Sequence, residues 1–150
     1  MRVPGVIYTA LVSNLRGLQR ALESDVNELN LVMSASETHN RANLRMSRAE
    51  SRAQLLAVIE QAGNAGVPSN VSLSTVFGCP LEGDIGTDNV MDLVAVFAAA
   101  GARGVTLCDT TGMAYPNQVE ALCDQFLQTP RCHDWYSETS SPHCSSPALV

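Results

Sequence analysis

Three short polar segments carry the side chains in this chain that could do acid–base or substrate-binding chemistry. They are Ser34-Ala35-Ser36-Glu37, Ser74-Thr75 running into Gly78-Cys79-Pro80-Leu81-Glu82-Gly83, and Cys108-Asp109-Thr110-Thr111-Gly112. Each follows a short apolar run that reads as a strand, and each precedes a segment that reads as a helix. Hydroxyls and carboxylates placed repeatedly at strand ends are what a β/α enzyme uses to build an active site. Asp109 is the candidate catalytic carboxylate. Its bland reading is a strand-end aspartate that caps the next turn, and the Thr110-Thr111-Gly112 context favours the catalytic one.

These segments must be held by the elements between them. Val6–Leu11, Glu28–Met33, Val67–Phe77 and Gly104–Cys108 read as strands. Asn14 suits the cap of a helix with Leu15, Leu18 and Leu22 on one face. Ser34 to Asn43 reads as a polar loop. Ser47-Arg48-Ala49-Glu50 is a capping box that opens a helix with Ala49, Ala53, Leu56 and Ile59 as its stripe, ending near Gly63-Asn64. Val90, Leu93, Val94 and Phe97 give the next helix its buried face. Pro116 fits the first turn of a last helix bearing Val119, Leu122 and Phe126. Four β/α units in succession imply parallel strands with helical crossovers. A complete (β/α)8 barrel takes ~250 residues, so the expected fold is a partial TIM barrel over residues 1–128.

Composition sets limits. The chain has 150 residues, of which 45% are hydrophobic, and a net charge of -6. That balance is unsuited to neutralising phosphates, so nucleic acid is not expected as a partner. It also disfavours anionic membranes, and runs such as Leu93–Ala100 are too short to span a bilayer. No secretory signal is visible at Met1-Arg2-Val3-Pro4-Gly5. The five cysteines form no C-x-x-C pair and fit reduced thiols in the cytoplasm. Cys79 has no neighbouring histidine to activate it, and Cys108 reads as a small buried hydrophobe.

The segment 129–150 holds three of the seven prolines, two of the three histidines and the only tryptophan. No hydrophobic period survives there. It is expected to be a disordered tail foreign to the fold, from an altered reading frame or a truncated gene model. Cys132-His133 and His143-Cys144 are spaced poorly for zinc. His39 reads as a solvated loop histidine. Arg41, Arg45, Arg48 and Arg52 read as a solvated face interleaved with Glu50, with a phosphate contact as the sharper alternative.

The order of the three segments between Ser34 and Gly112, together with Asn43, resembles the 3-hydroxy-3-methylglutaryl-CoA lyases. The resemblance spans roughly Pro4 to Glu120 and equates the four strands with strands three to six of that family's barrel. It implies cleavage of 3-hydroxy-3-methylglutaryl-CoA to acetyl-CoA and acetoacetate, as in leucine degradation and ketone body metabolism. It also implies a divalent cation, Mg²⁺ or Mn²⁺, and an acyl-CoA substrate, with Asp109 as the catalytic residue carried over and Ser36, Glu37, Ser74, Thr75 and Thr110 as substrate-lining positions. A related acyl-CoA aldolase or synthase and a non-catalytic interaction module are the alternatives. The family pattern includes an Arg-Asp pair ending its first strand and a His-x-His pair ending its seventh, and neither occurs here. The expectation is therefore a truncated, inactive piece whose metal ligands are absent. Two open sheet edges and uncovered apolar barrel-interior side chains would make it self-associate or aggregate.

Overall fold

A computed structural model describes residues 3–129. The tail, from residue 130 onward, lies outside the described residues. The elements are β1 (Thr9–Val12), α1 (Leu15–Glu23), β2 (Glu28–Ser34), α2 (Glu37–Leu44), α3 (Arg48–Asn64), β3 (Ser69–Ser74), α4 (Thr87–Ala99), β4 (Gly104–Leu107) and α5 (Pro116–Gln128). The four strands form one parallel sheet in the order β1-β2-β3-β4, with Leu31 opposite Val71 and Val71 opposite Val105. Because every strand runs the same way in sequence order, all four carboxyl ends lie on one rim.

Period-two alternation gives the sheet two unlike faces. Val12, Leu29, Leu31, Met33, Val71, Leu73, Val105 and Leu107 are buried in the core. They share it with Leu18 of α1, Leu55, Val58 and Ile59 of α3, and Val90, Val94 and Phe97 of α4. The opposite face is polar. Asn30 Oδ1 accepts from Ser72 Oγ at 2.9 Å, and Asn70 Nδ2 donates to Thr106 Oγ1 at 3.0 Å and to Asn30 Oδ1 at 3.4 Å. The expectation of uncovered apolar interior side chains is thus corrected for most of that face. Leu11, 69% exposed on the β1 edge strand, and the half-buried Val32 of β2 are the apolar exceptions. Gly104 makes room for this layer, since a Cβ there would stand 2.7 Å from Asn70 Oδ1.

Local signals explain the helix boundaries. Asn14 Oδ1 accepts from Gly17 N and caps α1. Ser47 and Glu50 form the reciprocal box at the start of α3, and the Ser47 hydroxyl holds the Glu50 carboxyl below the usual carboxylate range. The buried stripe of α3 runs through Ser51, Leu55, Val58, Ile59 and Ala62. Ala49 and Ala53, placed on that stripe by the sequence, face out, because the helix is rotated so that Leu55 is fully buried and Leu56 packs against the edge of the core.

The largest departure is α2, where a loop was expected. Its sequence, Glu37 to Leu44, has almost no apolar stripe, and only Asn40 is buried. Polar groups hold it instead. Ser36 Oγ caps it by accepting from His39 N. Asn40 Oδ1 accepts from Ser34 N at 2.9 Å, and its Nδ2 donates to Met46 O and Ser51 Oγ at 2.8 and 2.7 Å. A fully buried amide with three such bonds ties the helix to the end of β2 and to α3.

Candidate functional site

The rim is built from the ends of β2, β3 and β4. Ser34 closes β2, and its hydroxyl lies 2.6 Å from Thr75 Oγ1, just beyond β3. Ser36 N donates to the same Thr75 oxygen at 3.3 Å. Thr75 N donates to Thr110 Oγ1, beyond β4, at 3.3 Å. Four of the expected site residues, Ser36, Ser74, Thr75 and Thr110, are therefore joined directly across three strands, Ser74 through its carbonyl. That carbonyl accepts from Ala35 N at 2.9 Å and from the Thr75 hydroxyl at 2.7 Å.

Thr75 is the unusual member. It is fully buried and has φ +58°. A β-branched residue in the left-handed region costs roughly 1–3 kcal/mol and persists only where surrounding contacts fix it. Its hydroxyl is saturated, touching Ser34, Ser36 and Ser74. Nothing in the sequence marks this conformation, which is usually announced by glycine.

Asp109 stands at the end of β4, half-buried. Its Oδ1 accepts from Met113 N at 3.0 Å and its Oδ2 from Ala114 N at 3.2 Å. These bonds are those of the turn-capping reading. An ionised carboxylate offers about four acceptor positions, so the bonds leave it capacity for a further donor.

Glu37 is committed differently from its expected role. Its Oε1 pairs with Arg41 Nε at 2.6 Å, and its Oε2 accepts from Arg48 N at 2.8 Å. Its contacts are with the junction of α2 and α3 rather than with the other rim residues. A cavity of about 270 Å³ lies at this junction, lined by Glu37, Arg48, Ala49, Arg52 and Leu93. The first N–H of α3 is already met there by Glu37, so the cavity carries its own anion.

Two contributors escaped the sequence reading. His39, expected to be solvated, is half-buried, with Nδ1 3.0 Å from Ser34 Oγ. Glu82 reaches from the loop after β3 to accept from both the backbone N–H and the hydroxyl of Thr38, in the first turn of α2. The Thr38 hydroxyl holds the Glu82 carboxyl below its ordinary range, and the neighbouring N–H groups add to this. Only the capping preference of first-turn acids hints at such a bond, and that preference does not say that the acid comes from another segment.

The cysteines near the rim are quiet. Cys79 is fully buried, and its backbone exchanges bonds with Gly83 at 2.8 and 2.7 Å, closing a tight loop. Cys108 is half-buried, rather than buried as expected, and burial pushes its thiol up. Among the described residues no three His, Cys, Asp or Glu side chains gather to hold a metal ion. Among them, too, no helix is long and apolar enough to cross a membrane.

A polar, hydroxyl-rich rim at the carboxyl ends of parallel strands, with helices behind, defines part of a β/α-barrel enzyme. The chain belongs to the HMGL-like family, whose model matches residues 2–144. It is 44% identical over 126 residues to hydroxymethylglutaryl-CoA lyase YngG of Bacillus subtilis (strain 168), covering 84% of this chain and 42% of that protein. It is 36% identical over 120 residues to (R)-citramalyl-CoA lyase of Chloroflexus aurantiacus, covering 80% and 38%. Among solved structures, an HMG-CoA lyase from Acinetobacter baumannii in complex with coenzyme A and 3-methylmalate superposes with a TM-score of 0.80 at 44% identity, covering 85% of this chain and 42% of that one. The Bacillus subtilis HMG-CoA lyase superposes with the same TM-score, identity and share of this chain. The chain thus spans less than half the length of these relatives. HMG-CoA lyases are TIM barrels, and the four β/α units here are part of one.

Proposed function

We propose that this chain carries the acyl-CoA-facing rim of a hydroxymethylglutaryl-CoA lyase, with Asp109 as its catalytic carboxylate and Ser74 and Thr110 as its substrate-lining groups; Ser36 and Thr75, expected to line the site, are fully buried and instead brace the rim from beneath. One observation carries the reading: the ends of β2, β3 and β4 are linked by hydrogen bonds through Ser34, Ser36, Thr75 and Thr110 into one surface beside Asp109. The relatives named above support the methylglutaryl reading over an aldolase, a synthase or a non-catalytic module. Glu37 is assigned to fixing the α2–α3 corner behind that surface.

The reaction is a cleavage between C2 and C3 of 3-hydroxy-3-methylglutaryl-CoA. A base takes the proton of the tertiary hydroxyl, its oxygen becomes the ketone of acetoacetate, and the bonding pair leaves on C2 as the enolate of acetyl-CoA. A proton then returns to that carbon. Asp109 is a carboxylate at the correct rim for one of these transfers. Members of this family are metal-dependent lyases. The described residues, with one rim carboxylate already bonded to Met113 and Ala114 N–H, do not by themselves make a site for Mg²⁺ or Mn²⁺. Turnover by this chain alone is therefore not expected. Its setting is assigned to the cytoplasm, and the processes to leucine degradation and ketone body metabolism. The domain is assigned to residues 1–128, where α5 closes at Gln128, although the family match runs on to residue 144.

Calorimetric titration of the 150-residue chain with coenzyme A, alongside an acetoacetate assay with 3-hydroxy-3-methylglutaryl-CoA in Mg²⁺ and Mn²⁺, tests the proposal. Saturable binding without turnover is expected. No binding overturns the acyl-CoA reading, and turnover overturns the claim that this chain is inactive alone. Self-association is proposed through β1 and β4, whose outer edges are unpaired among the described strands. Sedimentation that finds a monomer with one sharp, high-temperature melt overturns it.

A further inference from the structure

We propose that His39 is a positioning residue of this rim, acting through Ser34 to hold Thr75 in place. The inference deepens the acyl-CoA reading and rests on it for its functional meaning. It follows from counting protons. Five contacts meet at two hydroxyls: His39 Nδ1 to Ser34 Oγ at 3.0 Å, Ser34 Oγ to Thr75 Oγ1 at 2.6 Å, Thr75 Oγ1 to Ser74 O at 2.7 Å, Ser36 N to Thr75 Oγ1 at 3.3 Å and, longest of all, Ser34 Oγ to Ser74 O at 3.5 Å. A carbonyl oxygen only accepts, so the Thr75 proton points to Ser74 O. The proton between the two hydroxyls must then come from Ser34. Ser34 has no second proton to give, so the proton between it and the imidazole belongs to His39.

The chain of donors therefore runs one way: Nδ1–H of His39 to Ser34, Ser34 to Thr75, Thr75 to the Ser74 carbonyl. The four shorter contacts then hold one proton each, and only the 3.5 Å approach of Ser34 Oγ to Ser74 O holds none. With the ring in the other neutral tautomer, Ser34 would have to donate to His39 and Thr75 to Ser34, leaving two oxygens facing each other at the Ser74 carbonyl without a proton. Chains of this kind polarise one another, and the buried setting of Ser34, Ser36 and Thr75 strengthens each bond. The outcome is an oriented Thr75 hydroxyl on a backbone with φ +58°, whose N–H in turn fixes Thr110. His39 touches neither Thr110 nor Asp109 in any of these bonds. Its effect on the rim passes through Ser34.

Nitrogen NMR of histidine-labelled full-length chain reads the tautomer directly, and hydrogen exchange at Ser36 N–H reads the Thr75 oxygen it donates to. A proton on Nδ1 is expected. Replacing His39→Leu, with folding checked by circular dichroism, is expected to speed Ser36 exchange about tenfold, the loss of roughly one buried hydrogen bond's worth of protection. In His39→Asn the side-chain amide nitrogen stands near the place of Nδ1 and donates, so exchange is expected to stay within about twofold of the parent. A ring with no proton on Nδ1, or equal exchange in the leucine and asparagine variants, overturns the proposal. Neither readout uses coenzyme A, so the result is independent of whether the chain binds it.

Discussion

The hydroxyls of Ser34 and Thr75 lie 2.6 Å apart although 41 residues separate them in the chain. That contact joins the ends of two parallel strands at the point where both leave the sheet. Replacing Thr75→Val keeps the shape and removes the oxygen. Ser34 and Ser36 N–H then lose their acceptor in a buried place, and the expected loss is about 1–3 kcal/mol of unfolding free energy. Urea denaturation measures it, and an unchanged midpoint would show that the hydroxyl contributes nothing net.

Glu82 ties the loop after β3 to α2 through Thr38, and its carboxyl is held below the ordinary value of 4.5. A depressed folded value means the stabilisation is complete above that ordinary value and is lost as pH falls through the folded one. Glu50, lowered by Ser47, acts in the same direction. Urea midpoints for the parent should therefore fall below about pH 4.5 more steeply than for Glu82→Gln. Parallel curves for the two proteins would remove Glu82 from the account.

Two glycines should respond oppositely to alanine. At Gly104 the new Cβ meets Asn70 Oδ1 at 2.7 Å and disturbs an amide bonded to Thr106 and Asn30, so a loss of about 1–2 kcal/mol is expected. At Gly63, inside α3, nothing lies within 4 Å, and a gain of roughly 0.5–1 kcal/mol is expected from helix propensity. Thermal melts of the two variants decide it, and a shift of the same sign in both would refute the packing argument.

Burial raises the thiols of Cys108 and Cys123, and Cys79 is fully enclosed. Few thiolates are expected at Cys108 and Cys123 at pH 7, and Cys79 is out of reach of reagents. Peptide mapping after brief iodoacetamide treatment should find them largely unmodified while the protein is folded and readily modified in urea. Rapid labelling of Cys108 in the folded chain would contradict the assignment.

Much of the architecture was legible because it rests on local signals. The period-two runs of β2 and β3, the Ser47–Glu50 box, the Asn14 cap and Pro116 all mark elements found near their expected places. Strand ends shifted by a few residues, most of all in β3, where Val67, Pro68 and Thr75 to Phe77 lie outside the ladder, and in β1, where Val6 to Tyr8 do. The helix α2 was not legible, since it is held by Asn40, Ser36 and Glu82 rather than by an apolar stripe. The left-handed Thr75 and the His39–Ser34 bond were invisible for the same reason: each is fixed by a partner distant in sequence or by backbone geometry that composition does not signal. Glu37 shows the converse limit. A carboxylate at the right strand end can be consumed by neighbouring arginine side chain and backbone before any ligand arrives.

The sheet reads its own alignment twice. Leucine, valine and methionine teeth engage the helices on one side, while Asn30, Ser72, Asn70 and Thr106 form rungs on the other. Sliding β2 by a single position would thrust Asn30 among the leucines and strand Met33 in water, with both errors incurred together. A one-residue slip is therefore penalised on both sides of the sheet at once, and the register that satisfies the leucines is the one that satisfies the amides.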